Sequence, residues 1–347
     1  MKRLAFALVA SSMIGAAPPS PAGSLDIYFI DAMGGAATLI VTPERESILI
    51  DSGWPGLDDR DPKRIVHVLK DVAGLDKLDH LVTTHWHTDH YGGVAGLSIL
   101  VPIGHFWDRG LPEDGNTTLD FPDGPKPDDP LGIAYRTASA GKRTALKPGD
   151  IIPLKGNVKA VVMASGGEVR KIAKRLKANP LAEKAPADLA EDRSDNARSL
   201  AIKFSSGPFD FLDCGDLTWN VEKDLVVPWD RVGSIDVYQV THHGMDISNH
   251  PTLVATIAPT VAIMNNGPTK GGAPATVKLL KSIPSIQAAY QLHKNAATGP
   301  EDNTEASLIA NPNPEGGEFI HVSVAPGGMT YTVQIGQGGT RREFATK

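Results

Sequence analysis

Residues 84–90 have the sequence Thr-His-Trp-His-Thr-Asp-His, and no other segment constrains the fold and chemistry of this chain as strongly. Within six residues it places four side chains that can bind a metal: His85, His87, Asp89 and His90. Imidazole and carboxylate are ligands that suit zinc and its neighbours in the first transition row. The apolar run before the segment predicts a strand, and the Gly-Gly pair and apolar stretch after it predict a turn and a helix. Because open α/β layers place their sites at this end of a strand, we expect a metal site in an α/β fold.

The pattern His-x-His-x-Asp-His after a β-strand resembles the signature of the metallo-β-lactamase superfamily. The resemblance implies an αββα sandwich, in which two mixed sheets are flanked by helices, here with a C-terminal β-hairpin over residues 319–335. It also implies a two-metal site. In that site His85 and His87 bind the first metal, and Asp89 and His90 bind the second. A motif of this spacing directly after a strand is more specific than a chance surface cluster of histidines.

Three further segments resemble superfamily motifs. In residues 48–53, Ile-Leu-Ile-Asp-Ser-Gly, the resemblance implies that Asp51 hydrogen-bonds the metal loop without binding metal. In residues 211–218, Phe-Leu-Asp-Cys-Gly-Asp-Leu-Thr, it implies that Asp216 bridges the two metals. The His-His-Gly element at 242–244 completes the second metal site, and we favour His243 as the ligand, although the reverse assignment stays open. His242 would then face the substrate, and Asp89 would also orient the metal-bound hydroxide, so both are catalytic candidates.

The chain departs from the common pattern at the third ligand of the first metal. Superfamily members of the β-lactamase, glyoxalase and lactonase type carry a histidine about twenty residues before the bridging aspartate. Here that place has the sequence Ser-Asp-Asn-Ala, and Asn196 stands where the ligand would be. An amide oxygen is a weaker zinc ligand than imidazole and tolerates harder metals. We therefore expect one or two Zn²⁺ ions, with a weakly held first metal or Mn²⁺ in place of zinc.

This departure and the His-His-Gly element are similar to one branch of the superfamily: the hydrolase domain of bacterial DNA-uptake (competence) proteins and the phosphorylcholine esterases. The Gln and Asp that this branch has near its first Gly-Gly turn are replaced here by Met33 and Ala36. The resemblance implies a hydrolase that uses a metal-bound hydroxide on a phosphodiester or related ester. One alternative is a lactone, β-lactam or thioester hydrolase, and a second is a non-enzymatic metal-containing binding module.

The charge balance bears on the partners of the chain. The formal net charge is -6, and no stripe of interleaved aromatic and basic residues is visible, so nucleic acid is possible but not favoured as a partner. A small-molecule or phosphoester substrate is expected instead. The sequence does not predict the oligomeric state. The single cysteine, Cys214, excludes an intramolecular disulfide.

The N-terminus has the pattern of an export signal. Lys2 and Arg3 precede an apolar stretch over residues 4–17, and Ala22 offers a cleavage point. We predict a signal peptide at 1–22, a hydrolase domain at 23–300 and a peripheral C-terminal hairpin extension at 301–347. The protein would then be secreted or periplasmic, without stable membrane insertion after cleavage. An uncleaved membrane anchor is the alternative.

Overall fold

A computed structural model describes residues 22–114, 123–171 and 178–347 of the chain. The predicted signal peptide, apart from Ala22, lies outside these residues. Among the described residues, no helix has both the length and the apolar character that a membrane crossing requires.

The strands are short and rich in β-branched and aromatic residues, which pack well on a pleated surface. In chain order they are β1 (Leu25–Phe29), β2 (Thr38–Val41), β3 (Ser47–Ile50), β4 (Leu78–Val82), β5 (Ile103–Asp108), β6 (Arg143–Ala145), β7 (Ile151–Ile152), β8 (Lys159–Ser165), β9 (Glu168–Val169), β10 (Ala201–Ser206), β11 (Phe209–Asp213), β12 (Val237–Gln239), β13 (Val261–Met264), β14 (Ala288–His293), β15 (Ile309–Asn311), β16 (Ile320–Val324), β17 (Thr330–Ile335) and β18 (Arg342–Ala345).

Helices connect many of these strands, and several begin at a proline, whose fixed φ suits the first helical turn. In chain order they are α1 (Arg60–His67), α2 (Thr88–Tyr91), α3 (Val94–Leu100), α4 (Pro130–Ser139), α5 (Trp219–Asp224), α6 (Pro251–Ile257) and α7 (Pro274–Ser282). A π-helical segment, Val68–Val72, continues α1. Two 3₁₀ turns, Asp195–Arg198 and Thr241–Gly244, carry predicted site residues.

Within the described residues the strands form two mixed sheets. The first has the order β18-β17-β16-β1-β2-β3-β4-β5-β6, and the second has the order β15-β14-β13-β12-β11-β10-β8-β7, with β9 paired to β8. Strands β3 to β6 run parallel to one another, as do β11 to β15. Parallel neighbours end at the same edge of a sheet, so each sheet gathers its strand-end loops on one side.

Three apolar clusters show how the layers stack. Between the sheets, the rings of Phe29 and Phe211 meet edge to face, with their centroids 5.8 Å apart. Leu97 of α3 and Tyr135 of α4 belong to the cluster on the outer face of the first sheet. Leu253 of α6 belongs to the cluster on the outer face of the second. Side chains of this size contribute roughly 1.5–3 kcal/mol each when they are removed from water. The layers are helix, sheet, sheet, helix, which confirms the predicted αββα sandwich.

The C-terminal hairpin is present as β16 and β17, but the expectation that it is peripheral is wrong. Strand β16 pairs antiparallel with β1, with Leu25 opposite Val324. Val322 and Tyr331 lie in the cluster between the two sheets. Alternating apolar residues predicted the hairpin, but they do not reveal which sheet edge a hairpin will extend. The predicted domain boundary near residue 300 stays a prediction.

Candidate metal centre

The predicted ligands lie where strand ends from both sheets meet. The segment that carries His85 to His90 follows β4, and Asp51 follows the parallel neighbour β3. Asp216 follows β11, and the His-His-Gly turn follows β12, again a parallel neighbour. Because all four loops leave the carboxyl ends of their strands, side chains far apart in sequence converge.

Four side chains form a compact group that could hold a metal ion: Asp89, His90, Asp216 and His243. The Nε2 atom of His243 lies 3.2 Å from Asp89 Oδ2 and 3.3 Å from Asp216 Oδ2. The Nε2 atom of His90 lies 3.2 Å from Asp216 Oδ2, 3.4 Å from Asp89 Oδ2 and 3.3 Å from His243 Nε2. A tetrahedral zinc site with bonds of about 2.0–2.1 Å has ligand-to-ligand edges of roughly 3.3–3.4 Å. The spacing and chemistry of these four groups therefore fit a zinc-type ion.

The two histidines of this group are held in an orientation that suits metal binding. His243 Nδ1 lies 3.1 Å from the carbonyl oxygen of Asn265, which can only accept, so Nδ1 carries the proton. His90 Nδ1 lies 2.7 Å from Asp51 Oδ2. Asp51 in turn accepts from the backbone N–H and the hydroxyl of Thr84, both at 2.8 Å. Partners of this kind fix the ring so that Nε2 points at the candidate metal position. Asp51 thus contacts both Thr84 and His90 of the loop that follows β4.

The remaining predicted ligands lie around this group without completing a second one. His85 is fully buried, and its Nε2 is 3.9 Å from Asp216 Oδ2. The Nε2 atom of His242 is 3.5 Å from the same oxygen. Asn196 directs its amide at His242, with 3.4 Å between Nδ2 and Nε2. The structure thus places His243, and not His242, in the compact group.

His87 differs from the other predicted ligands. Its side chain is partly exposed, and Nε2 lies 3.3 Å from Asp123 Oδ2. The same carboxylate oxygen accepts from the backbone N–H of Asp195 at 3.1 Å. His87 therefore has a carboxylate partner outside the compact group.

Opposed charges set the protonation of the compact group. Burial alone would raise the pKa of Asp216, but the positive charges of His243 and His90 lower it well below its usual range. Burial would lower the pKa of His90, yet the carboxylates of Asp216, Asp51 and Asp89 raise it well above its usual range. Without a metal, imidazolium protons therefore balance the carboxylates. A cation that binds here displaces those protons.

The His-His-Gly turn has an unusual backbone. His242 and His243 have positive φ values of 56° and 53°, a region that costs residues other than glycine about 1–3 kcal/mol each. The turn is held by a hydrogen bond of 3.0 Å from His242 N to the carbonyl oxygen of Gly215. Gly271 packs against it so closely that a Cβ would lie 2.1 Å from His243 O. Strained backbone that is held in place by the surrounding contacts is typical of functional sites.

The sequence analysis missed Lys270. Its Nζ forms an ion pair with Asp89 Oδ2 and lies 5.1 Å from the centre of the Trp54 ring. The Lys270 side chain is 34% exposed, so solvent and ligands can reach it. No sequence pattern marks this lysine, because it meets Asp89 only through the loop that follows β13.

Asp195 was also missed, although it precedes Asn196. Its carboxylate accepts from the backbone N–H of Trp86, between the two first-metal histidines, at 2.6 Å. It also pairs with Arg109, and both side chains are fully buried. This ion pair ties the metal loop to the 3₁₀ turn that carries Asn196.

Comparisons with known proteins agree with this architecture. Residues 30–171 match the model of the metallo-beta-lactamase superfamily, which confirms the superfamily predicted from the sequence. A segment of 69 residues is 44% identical to the atrochrysone carboxyl ACP thioesterase of Aspergillus chevalieri. That match covers 20% of this chain and about a fifth (21%) of the thioesterase.

Two solved structures match part of this chain. The metallo-beta-lactamase fold protein YhfI from Bacillus subtilis is 12% identical, with a TM-score of 0.44 over 77% of this chain and 95% of its own. CmlA, a diiron beta-hydroxylase from Streptomyces venezuelae, is 15% identical, with a TM-score of 0.40 over 72% of this chain and 46% of its own. The narrower likeness to competence proteins and phosphorylcholine esterases stays a prediction.

Proposed function

We propose that this chain, whose residues 30–171 belong to the metallo-beta-lactamase superfamily, is a metal-dependent hydrolase of phosphodiesters or related anionic esters. The compact group of Asp89, His90, Asp216 and His243 would hold the metal. When bound, a zinc-type ion lowers the pKa of a water molecule and polarises the oxygen of the ester. Zn²⁺ suits the two imidazoles, and the two carboxylates also suit Mn²⁺.

Lys270 is the observation that favours an anionic ester. Its ammonium group lies at the edge of the compact group, where it contacts Asp89 and the face of the Trp54 ring. A metal ion would neutralise much of the Asp89 charge, so the ammonium would be released to bind an anionic oxygen. A phosphodiester carries such an oxygen beside the bond that breaks, whereas a lactone or a simple ester does not.

His242 lies beside the compact group, where its side chain can contact the reacting groups of such a substrate or the metal. Its Nε2 faces Asp216 at 3.5 Å, and the side chain is 8% exposed. Burial lowers the pKa of His242, so the imidazole is neutral near pH 7. A neutral imidazole at this point can accept a proton or donate an electron pair.

Thioester hydrolysis is the second candidate, and the 69-residue match to a thioesterase favours it. A metal ion in the compact group would polarise a thioester carbonyl, because a bound metal acts on carbonyl and phosphoryl oxygens alike. In that reaction Lys270 would have no charged oxygen beside the reacting bond to bind.

A side-by-side assay separates the two candidates. Protein loaded with Zn²⁺ or Mn²⁺ is given bis(p-nitrophenyl) phosphate, an acyl-pantetheine thioester and a chromogenic β-lactam. We expect the wild type to hydrolyse the phosphodiester. We expect Asp216→Asn to lose this activity, because Asp216 belongs to the compact group. Turnover of the thioester or the β-lactam alone would overturn the phosphodiester proposal. No turnover of any of them by metal-loaded protein would favour the binding-module alternative.

We also propose that the protein is exported. The basic and apolar pattern of residues 1–22 supports a cleaved signal peptide. The test is to express the full chain in a Gram-negative host and to sequence the N-terminus of protein from the periplasm. Recovery of the protein in the cytoplasm, with Lys2 and Arg3 retained, would contradict export.

A further inference from the structure

The loop between β13 and α7, which carries Lys270, packs against the segment of residues 31–36 that follows β1. The two pieces of backbone are in close contact. A Cβ on Gly34 would lie 3.0 Å from the Cβ of Lys270, and a Cβ on Gly267 would lie 2.7 Å from the carbonyl oxygen of Met33. Because packing this close leaves no free space, a shift of residues 31–36 is transmitted to the loop of Lys270.

The same segment also contacts the backbone of Asp89. The N–H of Ala36 donates a hydrogen bond of 3.1 Å to the carbonyl oxygen of Asp89. The side chain of Asp89 forms the ion pair with Lys270. Residues 31–36 thus contact both partners of this ion pair, so the place of the segment helps to set where the ammonium group lies beside the compact group.

Asp31 fixes the start of the segment. Its side chain is fully buried, and four donors surround its carboxylate. Oδ1 accepts from Met33 N at 2.8 Å and lies 2.8 Å from His293 Nε2. Oδ2 accepts from Arg64 Nη1 at 2.8 Å and from Gly317 N at 2.9 Å. Burial alone would raise the pKa of Asp31, but His293 and Arg64 lower it, so the group is an ionised acceptor.

His293 connects Asp31 to the loop of Lys270. It ends β14 in the second sheet, and its side chain is fully buried. Because the carboxylate of Asp31 can only accept, His293 Nε2 carries the proton between them. The carbonyl oxygen of His293 accepts from Asn266 Nδ2 at 2.7 Å, and the same amide donates to Gly267 O at 3.0 Å. One residue thus contacts both of the backbone pieces that meet at Lys270.

We propose that His293 and Asp31 are positioning residues, which hold Lys270 beside Asp89 so that its ammonium group can bind the anionic oxygen of the substrate. The pair joins β1 of the first sheet to β14 of the second, and it acts on substrate only through Lys270. This inference rests on the role of Lys270 in the proposed function and adds the residues that set its position. A small misplacement of a binding group is enough to reduce its contribution strongly.

A double-mutant cycle tests this coupling without any assay of hydrolysis. Zinc-loaded proteins, with their zinc content measured and matched, are titrated with inorganic phosphate in a calorimeter. Lys270→Ala is expected to weaken phosphate binding about tenfold. His293→Leu is expected to weaken it roughly two- to tenfold. The double variant should bind phosphate no more weakly than Lys270→Ala alone, because both changes remove the same contact.

A second His–Asp pair provides the matched control. His321 Nε2 lies 2.8 Å from Asp26 Oδ1, the same length as the His293–Asp31 contact, but it joins β16 to β1 within the first sheet. His321→Leu removes this pair and should leave the affinity for phosphate unchanged. His293→Gln should recover most of the affinity, since its amide can still donate to Asp31.

Three results would overturn the inference. They are effects of His293→Leu and Lys270→Ala that multiply in the double variant, a loss in His321→Leu as large as that in His293→Leu, and wild-type protein that does not bind phosphate. If His293→Leu does not fold, Asp31→Asn takes its place in the cycle, because it removes the charge and keeps the size of the side chain. Coupled binding of phosphate without hydrolysis of any ester would contradict the proposed function and leave this inference intact.

Discussion

Asp51 Oδ2 lies 2.7 Å from His90 Nδ1, and both side chains are buried completely or nearly so. The two residues come from the ends of neighbouring parallel strands, and Thr84 completes the contact from the metal loop. The carboxylate thus sets the orientation of a candidate metal ligand, although Asp51 itself is not part of the compact group.

Removal of this support should weaken metal binding. Asp51→Ala is expected to lower the affinity for the first Zn²⁺ equivalent by roughly 10- to 100-fold, because His90 loses the partner that holds its proton on Nδ1. Titration of metal-free protein against a competing chelator measures the effect. Asp51→Asn should retain part of the affinity, since an amide oxygen still accepts from Nδ1. Equal affinities in the wild type and the alanine variant would contradict this role.

Lys270→Ala should raise KM for anionic substrates more than KM for neutral substrates. We expect a rise of roughly tenfold in KM for bis(p-nitrophenyl) phosphate, which corresponds to the loss of about 1.4 kcal/mol of charge-assisted binding. KM for the neutral ester p-nitrophenyl acetate should change little. Lys270→Arg should restore most of the loss, because it keeps the positive charge. An equal rise in KM for both substrates would indicate a structural role.

The buried Arg109–Asp195 ion pair should matter for stability. Asp195→Ala leaves the guanidinium in a fully buried place without its carboxylate, and it removes the acceptor of Trp86 N. Breaking a buried pair in this way costs about 3–5 kcal/mol of the free energy of unfolding. Denaturant unfolding followed by circular dichroism checks the value. As a control for the loss of one negative charge, the exposed Asp128→Ala should change stability by less than about 0.5 kcal/mol.

Glu222 should make stability depend on pH. Burial raises its pKa from the usual 4.5 to about 8 in the folded protein. Between these two values the unfolded chain has released a proton that the folded chain keeps, so stability falls as the pH rises. Glu222→Gln removes this dependence and keeps an acceptor for the backbone N–H of His250. The Tm of the variant relative to the wild type should therefore be higher at pH 8 than at pH 5.

If the Tm difference between Glu222→Gln and the wild type is the same at pH 5 and pH 8, Glu222 does not titrate in this range. The measurement needs metal-free protein at both pH values. Otherwise the release of metal at the lower pH would add its own change in stability.

The parts of the fold that could be predicted were those with a local pattern. The metal loop after β4, Asp51 after β3 and Asp216 after β11 each follow a buried strand that the sequence shows as an apolar run. Because parallel strands end at one edge of a sheet, these three positions predicted where the site lies. The choice of His243 for the compact group agrees with its place beside Gly244, but the sequence alone left it open.

The parts that could not be predicted depend on contacts between distant loops. Lys270 and Asp89 are 181 positions apart, and Trp86 and Asp195 are 109 apart. No periodicity or motif joins such pairs, since each contact exists only after both sheets have packed. His87 shows the same limit. Its motif predicts a metal ligand, but no motif predicts that its Nε2 lies beside Asp123 of a distant loop.

The pairing of β1 with β16 has a consequence for how the chain is made. The segment Leu25–Phe29 leaves the ribosome long before Ile320–Val324, the strand that covers one of its edges. Until then β1 presents unpaired backbone groups, and part of the core between the sheets lacks Val322 and Tyr331. Contacts this remote in sequence form slowly. The nascent polypeptide therefore completes its first sheet only after β16 to β18 have been translated, and a product that stops before them would be a substrate for chaperones and proteases.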